Sequence, residues 1–365
     1  MRIVSAMRTS SVAVLVVLFA AALAAAKTLD VYVIDAEGGK ATLVVTPSGQ
    51  SMVVDAGYAG FINEKSQVIQ PNDLEADRII RVVKLAKVKQ IDYLVVSHFH
   101  NDHAENIPKL VAKLGIPVRH FVDHGPPQQQ DPLTQNLYKT YLDSIGGAQR
   151  ITVKPGDMIP LNGVQVEVLT SAGETIRSPL PGAGAPNDLC GAPPTRPDRG
   201  ENPASVGLLY TFGKFRMIDL ADLTKGKEYE LMCPNNLVGA VDLYMVSHHG
   251  WDLSNSALLV HALHPQVAVM SNGAKKGNMP AVVKVLRSSP GLKDVWQIHY
   301  SVDGGKENNT SPDLIANPQE QPDPRSFGFV LNDNANFIKI SAREDGTFTV
   351  TNSRNGVSKT YKHGD

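Results

Sequence analysis

Apolar positions recur along the chain in two rhythms, one of period two and one of helical spacing, and together they divide it into alternating strands and helices. Leu29 to Ile34, Ala41 to Val45 and Ser51 to Val54 are short runs separated by Gly38-Gly39 and by Thr46-Pro47-Ser48-Gly49. That pattern predicts strands joined by tight turns. Ile79, Ile80 and Val83 fall at helical spacing within 73–87, with charges on the opposite side, which predicts an amphipathic helix. Ile91 to Val96 (IDYLVV) has the length and β-branched content of a buried strand. A short helix over Ile107 to Lys113, a strand over Val118 to Val122 and a helix over Leu137 to Leu142 come next. Ile151 to Leu169 reads as strand, turn, strand, punctuated by Pro155-Gly156 and Asn162-Gly163.

The second half has a similar order. Val206 to Phe212 and Phe215 to Leu220 form a hairpin across Gly213-Lys214, and Val241 to Val246 is a further strand. The Ser254-Asn255-Ser256 cluster predicts a cap for a helix running to Leu263. Val267 to Met270 is another strand, and Phe337 to Thr351 is a hairpin around Asp345-Gly346. There is no close repeat, but the elements fall into two similar halves, each sending polar residues from strand ends.

Two stretches depart from these rhythms. At the start, Arg2 and Arg8 precede an uncharged apolar run, Val12 to Leu23, and Ala24-Ala25-Ala26. This predicts a secretory signal peptide over 1–26, cleaved before Lys27, and hence a secreted or periplasmic protein with no membrane span after cleavage. An uncleaved anchor is the alternative, since Ser10 to Ala26 is slightly short of a full span. Residues 27–365 are then expected to form a single domain. Within it, 171–204 is a proline- and glycine-rich loop insertion without periodicity.

The net charge of −1 carries no basic field for nucleic acid. The two cysteines, Cys190 and Cys233, lack C-x-x-C spacing, which argues against a thiolate zinc site. In an exported chain they are expected to form one disulfide, stabilising the fold by about 3–4 kcal/mol on the chain-entropy account. Two buried free thiols are the alternative.

The candidate chemistry lies in Ser97 to Asn106, SHFHNDHAEN, where His98, His100, Asp102 and His103 spell H-x-H-x-D-H. Residues two apart on an extended chain point to one side, so His98 and His100 can grip one ion together. Asp102 and His103 follow where the chain should turn and can face a second. Imidazole and carboxylate suit zinc, and also manganese or iron. No G-x-S-x-G signals a serine nucleophile. His120 and His124 read as structural, His261 and His264 as helix-surface residues, and His299 as part of an aromatic cluster with Trp296 and Tyr300. Lys275-Lys276 reads either as a solvated loop or as a contact for an anionic substrate.

With H-x-H-x-D-H, VVDAG at 53–57, DLADL at 219–223 and SHHG at 247–250, the chain resembles the metallo-β-lactamase fold superfamily. Within that superfamily it is similar to the hydrolase domain of ComEC-type DNA-uptake proteins and their secreted stand-alone relatives. The resemblance spans Thr28 to about Tyr361 and implies a four-layer αββα sandwich of α/β class with a dinuclear metal site on one edge. It also implies roles for individual residues. His98 and His100 would hold the first metal, and Asp102 and His103 the second. Asp222 would bridge, His249 (or alternatively His248) would be the last ligand, and Asp55 would support the ligand loop from behind. Asp102 and Asp222 would be the catalytic carboxylates, around a hydroxide activated by two divalent ions, zinc foremost.

The chain departs from the commonest superfamily pattern by lacking a further histidine between Asp102 and Asp222. ComEC-type members lack it too and carry E-N-x-x-S, matched by Glu201-Asn202-Pro203-Ala204-Ser205, so Glu201 or Asn202 could serve the first metal. Ala221 stands where relatives usually have glycine, and Gly277-Asn278-Met279-Pro280 replaces a GHP. The expected activity is that of a secreted metal-dependent hydrolase, phosphodiesterase-like, acting on a small-molecule or phosphodiester substrate. Lactone, amide or β-lactam hydrolysis at the same metals is the alternative, or a non-catalytic binding protein with a decayed site.

Overall fold

A computed structural model describes residues 28–62, 68–69, 75–195, 198–318 and 334–364. The expected leader over 1–26 and the first residues of the helix expected from Asp73 lie outside them. Among the described residues, no helix is long and apolar enough to cross a membrane.

The elements form two large sheets that do not follow the two halves of the chain, since the strands from 338 to 362 join the first sheet and those from 158 to 171 join the second. The first runs, edge to edge, Ser358–Lys362, Thr347–Asn352, Ile338–Ala342, Leu29–Val33, Thr42–Val45, Ser51–Val54, Ile91–Val95, Val118–Asp123 and Gln149–Thr152. The second runs Glu174–Thr175, Val164–Ser171, Gly207–Phe212, Phe215–Asp219, Leu243–Met245, Val267–Met270, Asp294–His299 and Ile315–Asn317. In each sheet an antiparallel meander passes into parallel strands, at Ser51–Val54 with Ile91–Val95 and at Phe215–Asp219 with Leu243–Met245.

Three apolar clusters account for the layering. One lies between the sheets and is built from inward residues of both, among them Val31, Val54, Val95, Leu208, Met217 and Trp296. A second joins the outer face of the first sheet to the helices Glu75–Leu85, Ile107–Lys113 and Pro132–Ile145. The third joins the outer face of the second sheet to Lys225–Met232, Ala257–Leu263 and Pro280–Arg287. Helix, sheet, sheet, helix is the four-layer α/β sandwich. Parallel strands covered on both faces read as continuous apolar runs, which is why Ile91–Val95 is buried at every position.

Local differences from the sequence reading have physical causes. Ile151 to Leu169 is not one strand–turn–strand unit. Gln149–Thr152 closes the edge of the first sheet, and the chain crosses at Pro155-Gly156 to Met158–Leu161, which pairs with Val164–Ser171 in the second. The helix expected over Leu137 to Leu142 starts earlier, at Pro132, because the Asp131 carboxylate accepts from the Leu133 and Thr134 amides. Helix Ala257–Leu263 begins where the serine cluster suggested, but Ser256 makes no side-chain cap. The buried Glu228 carboxylate accepts from the Asn255 and Ser256 amides instead, at 2.6 and 2.8 Å.

The proline-rich stretch is pinned rather than loose. Cys190 and Cys233 form a disulfide. Nearby, Leu180 donates to the Leu237 carbonyl, Gly184 to Asn236 and Asn187 to Pro234.

Candidate metal centre

Every strand that carries a candidate ligand delivers it from its carboxyl end, the edge where α/β folds place ligands. Asp55 follows Ser51–Val54, the H-x-H-x-D-H stretch follows Ile91–Val95, Asp222 follows Phe215–Asp219, and His248-His249 follow Leu243–Met245. The stretch turns into helix at Asn101–Ala104, with Asp102 and His103 on that single turn.

These residues converge on one carboxylate oxygen. From Asp222 Oδ2 the Nε2 atoms of His103, His248, His249 and His98 lie at 3.3, 3.6, 3.7 and 3.8 Å. Two groups that could hold an ion have Asp222 in common: Asp102, His103, Asp222 and His249, all buried, and His98, His100 and Asp222. His98 Nε2 is 3.0 Å from His100 Nδ1, and His249 Nε2 is 3.1 Å from Asp102 Oδ2.

The donor set suits divalent ions, for two reasons. Two ligands each about 2.05 Å from a tetrahedral zinc stand about 3.3 Å apart, close to the spacing around Asp222 Oδ2 and longer than a hydrogen bond. The protonation pattern agrees. His249 donates from Nδ1 to the Ser271 carbonyl at 2.8 Å, and His103 from Nδ1 to Asp55 Oδ2 at 2.8 Å. Each neutral ring therefore turns an Nε2 lone pair toward carboxylates, acceptor facing acceptor. His103 Nε2 and Asp222 Oδ1 are buried without a hydrogen-bond partner.

Without an ion, a proton stands in. Burial alone would lower the His103 pKa, but Asp222, Asp102 and Asp55 outweigh it and push it up to about 10. For His98, burial and the neighbouring imidazoles hold the ring well below its usual value. Burial would raise Asp222, but His103, His249 and His248 hold it well below the carboxylate range.

Asp55 braces the His103 ring and the Ser97 backbone. Besides His103, it accepts from the Ser97 amide at 2.8 Å and the Ser97 hydroxyl at 2.7 Å. Such contacts behind a ligand fix its tautomer and direction.

The backbone around the second ligand group is strained. His248 and His249 have φ of 52° and 54°, and Ala221 has φ of 50°. The left-handed region costs a side-chain-bearing residue about 1–2 kcal/mol, and local hydrogen bonds offset it. His248 N donates to the Ala221 carbonyl at 2.9 Å, and Asn278 N to the His249 carbonyl at 3.1 Å. The Ala221 amide donates to Asp219 Oδ1, which also pairs with the buried Lys40.

Glu201 and Asn202 part ways. Glu201 is buried and turned from the ligands, accepting from the Phe99, Gln128 and Gln129 amides and pairing with His124 Nε2 at 3.1 Å. Burial would raise its carboxyl, but His124 and these amides bring it below its usual value. Asn202 faces the centre, with Nδ2 3.4 Å from His248 Nε2. His120 stacks on Tyr93 and bonds the Asp92 carbonyl, away from the ligands.

Among the described residues, His299 does not cluster with Trp296 and Tyr300. Its Nε2 meets Asp35 Oδ1 at 2.7 Å in a buried network with Glu37 and Arg78, while Trp296 packs between the sheets. That group has ligand-type residues, but the Arg78 guanidinium already supplies its cation.

Lys276 and Tyr58, not assigned to the centre from the sequence, also reach it. Lys276 Nζ pairs with Asp102 Oδ2 and donates to Tyr58 Oη at 3.0 Å. The signal available was Lys276 itself, a few residues beyond a strand parallel to the one bearing the histidines.

No curated protein matches the chain. Among solved structures, a CmlA β-hydroxylase variant is similar at 16% identity and TM-score 0.42, over 75% of this chain and 53% of that one. Igni18, a metallo hydrolase from Ignicoccus hospitalis, is similar at 14% identity and TM-score 0.36, over 66% and 82%. A protein described as a metal-dependent hydrolase from Parabacteroides distasonis is similar at 14% and 0.35, over 73% and 96%. The chain thus spans about half the length of the CmlA protein. Residues 34–197 match the model of the metallo-beta-lactamase superfamily, and H-x-H-x-D-H lies within the matched stretch.

Proposed function

We propose that the chain is a secreted metal-dependent hydrolase that cleaves phosphodiesters. His98, His100 and Asp222 would hold one divalent ion, and Asp102, His103, Asp222 and His249 the other. The observation that carries this reading is the convergence of four imidazole nitrogens on Asp222 Oδ2 at 3.3–3.8 Å. Two such ions, zinc foremost, supply an activated water nucleophile and stabilise charge that develops on the phosphoryl oxygens.

The chain's own residues do the positioning. Asp222, common to both groups, would offset the repulsion between two bound cations. Asp55 aims His103, the Ser271 carbonyl aims His249, and Asp102 orients the attacking water. His100, His248 and Trp251 remain partly open to solvent, so a substrate approaches on that side. The disulfide favours an oxidising compartment. The E-N-x-x-S stretch at 201–205 supports a ComEC-type relationship, with residues 27–365 as one domain.

The test is elemental analysis of purified protein beside a panel of phosphodiesters, lactones and β-lactams. About two divalent ions per chain are expected, lost in the His98→Ala/His100→Ala double variant, with turnover confined to phosphodiesters. Turnover of lactones or β-lactams alone would replace the substrate assignment. Protein that binds no zinc, manganese or iron would end the enzymatic reading.

A further inference from the structure

Lys275 and Lys276 are adjacent in sequence but not in role. Lys275 is exposed, while Lys276 points into the metal centre with its side chain only 22% accessible. The turn that carries it is clipped to the ligand turn itself. Asn278 N donates to the His249 carbonyl and Met279 N to the Gly250 carbonyl. Gly277, at φ of 76°, lies so close that any side chain would run into the His249 backbone. On its other side the turn packs against Gly38, and Gly273 N bonds the Lys276 carbonyl at 2.9 Å. A lysine held this way is not a solvated loop residue.

Its ammonium has three donors. One meets Asp102 Oδ2 and one meets Tyr58 Oη, with the Tyr58 ring centroid 5.2 Å away. The third is left for a ligand, on the open side of a centre where His100, Asn202, His248 and Trp251 are also accessible. Metals and histidines alone do not choose between neutral and anionic substrates. A fixed ammonium beside them does, because its charge is opposed by Asp102 alone among the groups it touches.

We propose that Lys276, braced by Tyr58, binds a non-bridging phosphoryl oxygen and so makes the centre selective for anionic phosphate esters. The inference rests on the phosphodiesterase reading and adds the residue that recognises the charge.

The experiment titrates inorganic phosphate into the zinc-loaded full chain, following heat of binding and zinc content, for wild type, Lys276→Gln and Lys276→Met. Phosphate Kd is expected to rise at least about tenfold in both variants, the effect of losing one charge-assisted hydrogen bond, with zinc content unchanged. KM for a phosphodiester should rise by the same factor while kcat changes less than about threefold, the signature of lost uniform binding. Lys276→Arg should stay close to wild type. Unchanged phosphate affinity in Lys276→Gln and Lys276→Met overturns the proposal. Zinc loss large enough to explain the weaker binding also overturns it, because Lys276 would then act only by holding Asp102. Lys276-dependent phosphate binding with no phosphodiester turned over upholds the anion site and refutes the phosphodiesterase reading alone. Phosphodiester turnover with phosphate binding indifferent to Lys276 does the reverse.

Discussion

Asp222 and Ala221 are neighbours with opposite prospects. Asp222 is the one residue common to both candidate ligand sets, so Asp222→Ala should abolish turnover and release at least the second metal. Asp222→Asn keeps the shape but neutralises no cation, and should bind metal more weakly; elemental analysis and activity read both. A fully active Asp222→Ala with both metals would make Asp222 a turn residue. Ala221 pays for its left-handed φ of 50°. Ala221→Gly removes about 1–2 kcal/mol of that strain and adds about 0.4–1 kcal/mol of unfolded-chain entropy. Relief matches or exceeds that cost, so the variant should melt no lower, with a gain of between zero and about 1.6 kcal/mol. A lower Tm in thermal unfolding would show that the strain is already relieved by Asp219 and His248.

At the scale of elements, Glu201 ties three segments together. Its oxygens hold Phe99 in the ligand stretch, Gln128 and Gln129 in the following loop, and His124 at the end of strand Val118–Asp123. Removing a buried carboxylate leaves those amides and the imidazole unsatisfied, at about 1–3 kcal/mol for each such group before relaxation. Glu201→Ala should therefore lower the stability of the metal-free protein to denaturant by about 3 kcal/mol or more, while the metal-loaded protein keeps two ions per chain. Loss of an ion from an otherwise folded Glu201→Gln would mark Glu201 as a ligand instead. The contrast separates a residue that shapes the ligand loop from one that binds through it.

For the whole molecule, metal and proton compete for one place. The His103 pKa is raised to about 10 in the metal-free chain by Asp222, Asp102 and Asp55 against the opposing effect of burial. Its proton must leave before Nε2 can take an ion. Zinc uptake at pH 7 should therefore release a proton from His103, and affinity should rise with pH up to about 10. Calorimetry in buffers of different ionisation enthalpy counts that proton. The linkage to folding has a definite sign. A raised histidine pKa contributes stability to the metal-free fold that is fully present below about 6.5 and lost as pH rises through about 10. Metal-free protein should thus weaken over that window, and zinc-loaded protein, which has no proton on Nε2 to lose, should not.

The sequence alone determined what local patterns can carry. Period-two runs and glycine turns marked the strands of both halves, since β-branched runs buried on both faces have few other homes. H-x-H-x-D-H marked a candidate ligand group, because imidazoles two apart on an extended chain can share a side. The cysteines could be paired because there were only two. Tertiary structure decided everything that depended on contacts between distant segments. It moved Gln149–Thr152 into one sheet and Met158–Leu161 into the other, a choice that identical local patterns leave open. It sent Glu201 to His124 and Asn202 to His248, although the two are adjacent. It drew His299 into a buried pair with Asp35, 264 residues away. It also placed Lys276 rather than Lys275 on Asp102. Charge pairing and burial are properties of a folded neighbourhood, and the spacing of residues along a chain does not contain them.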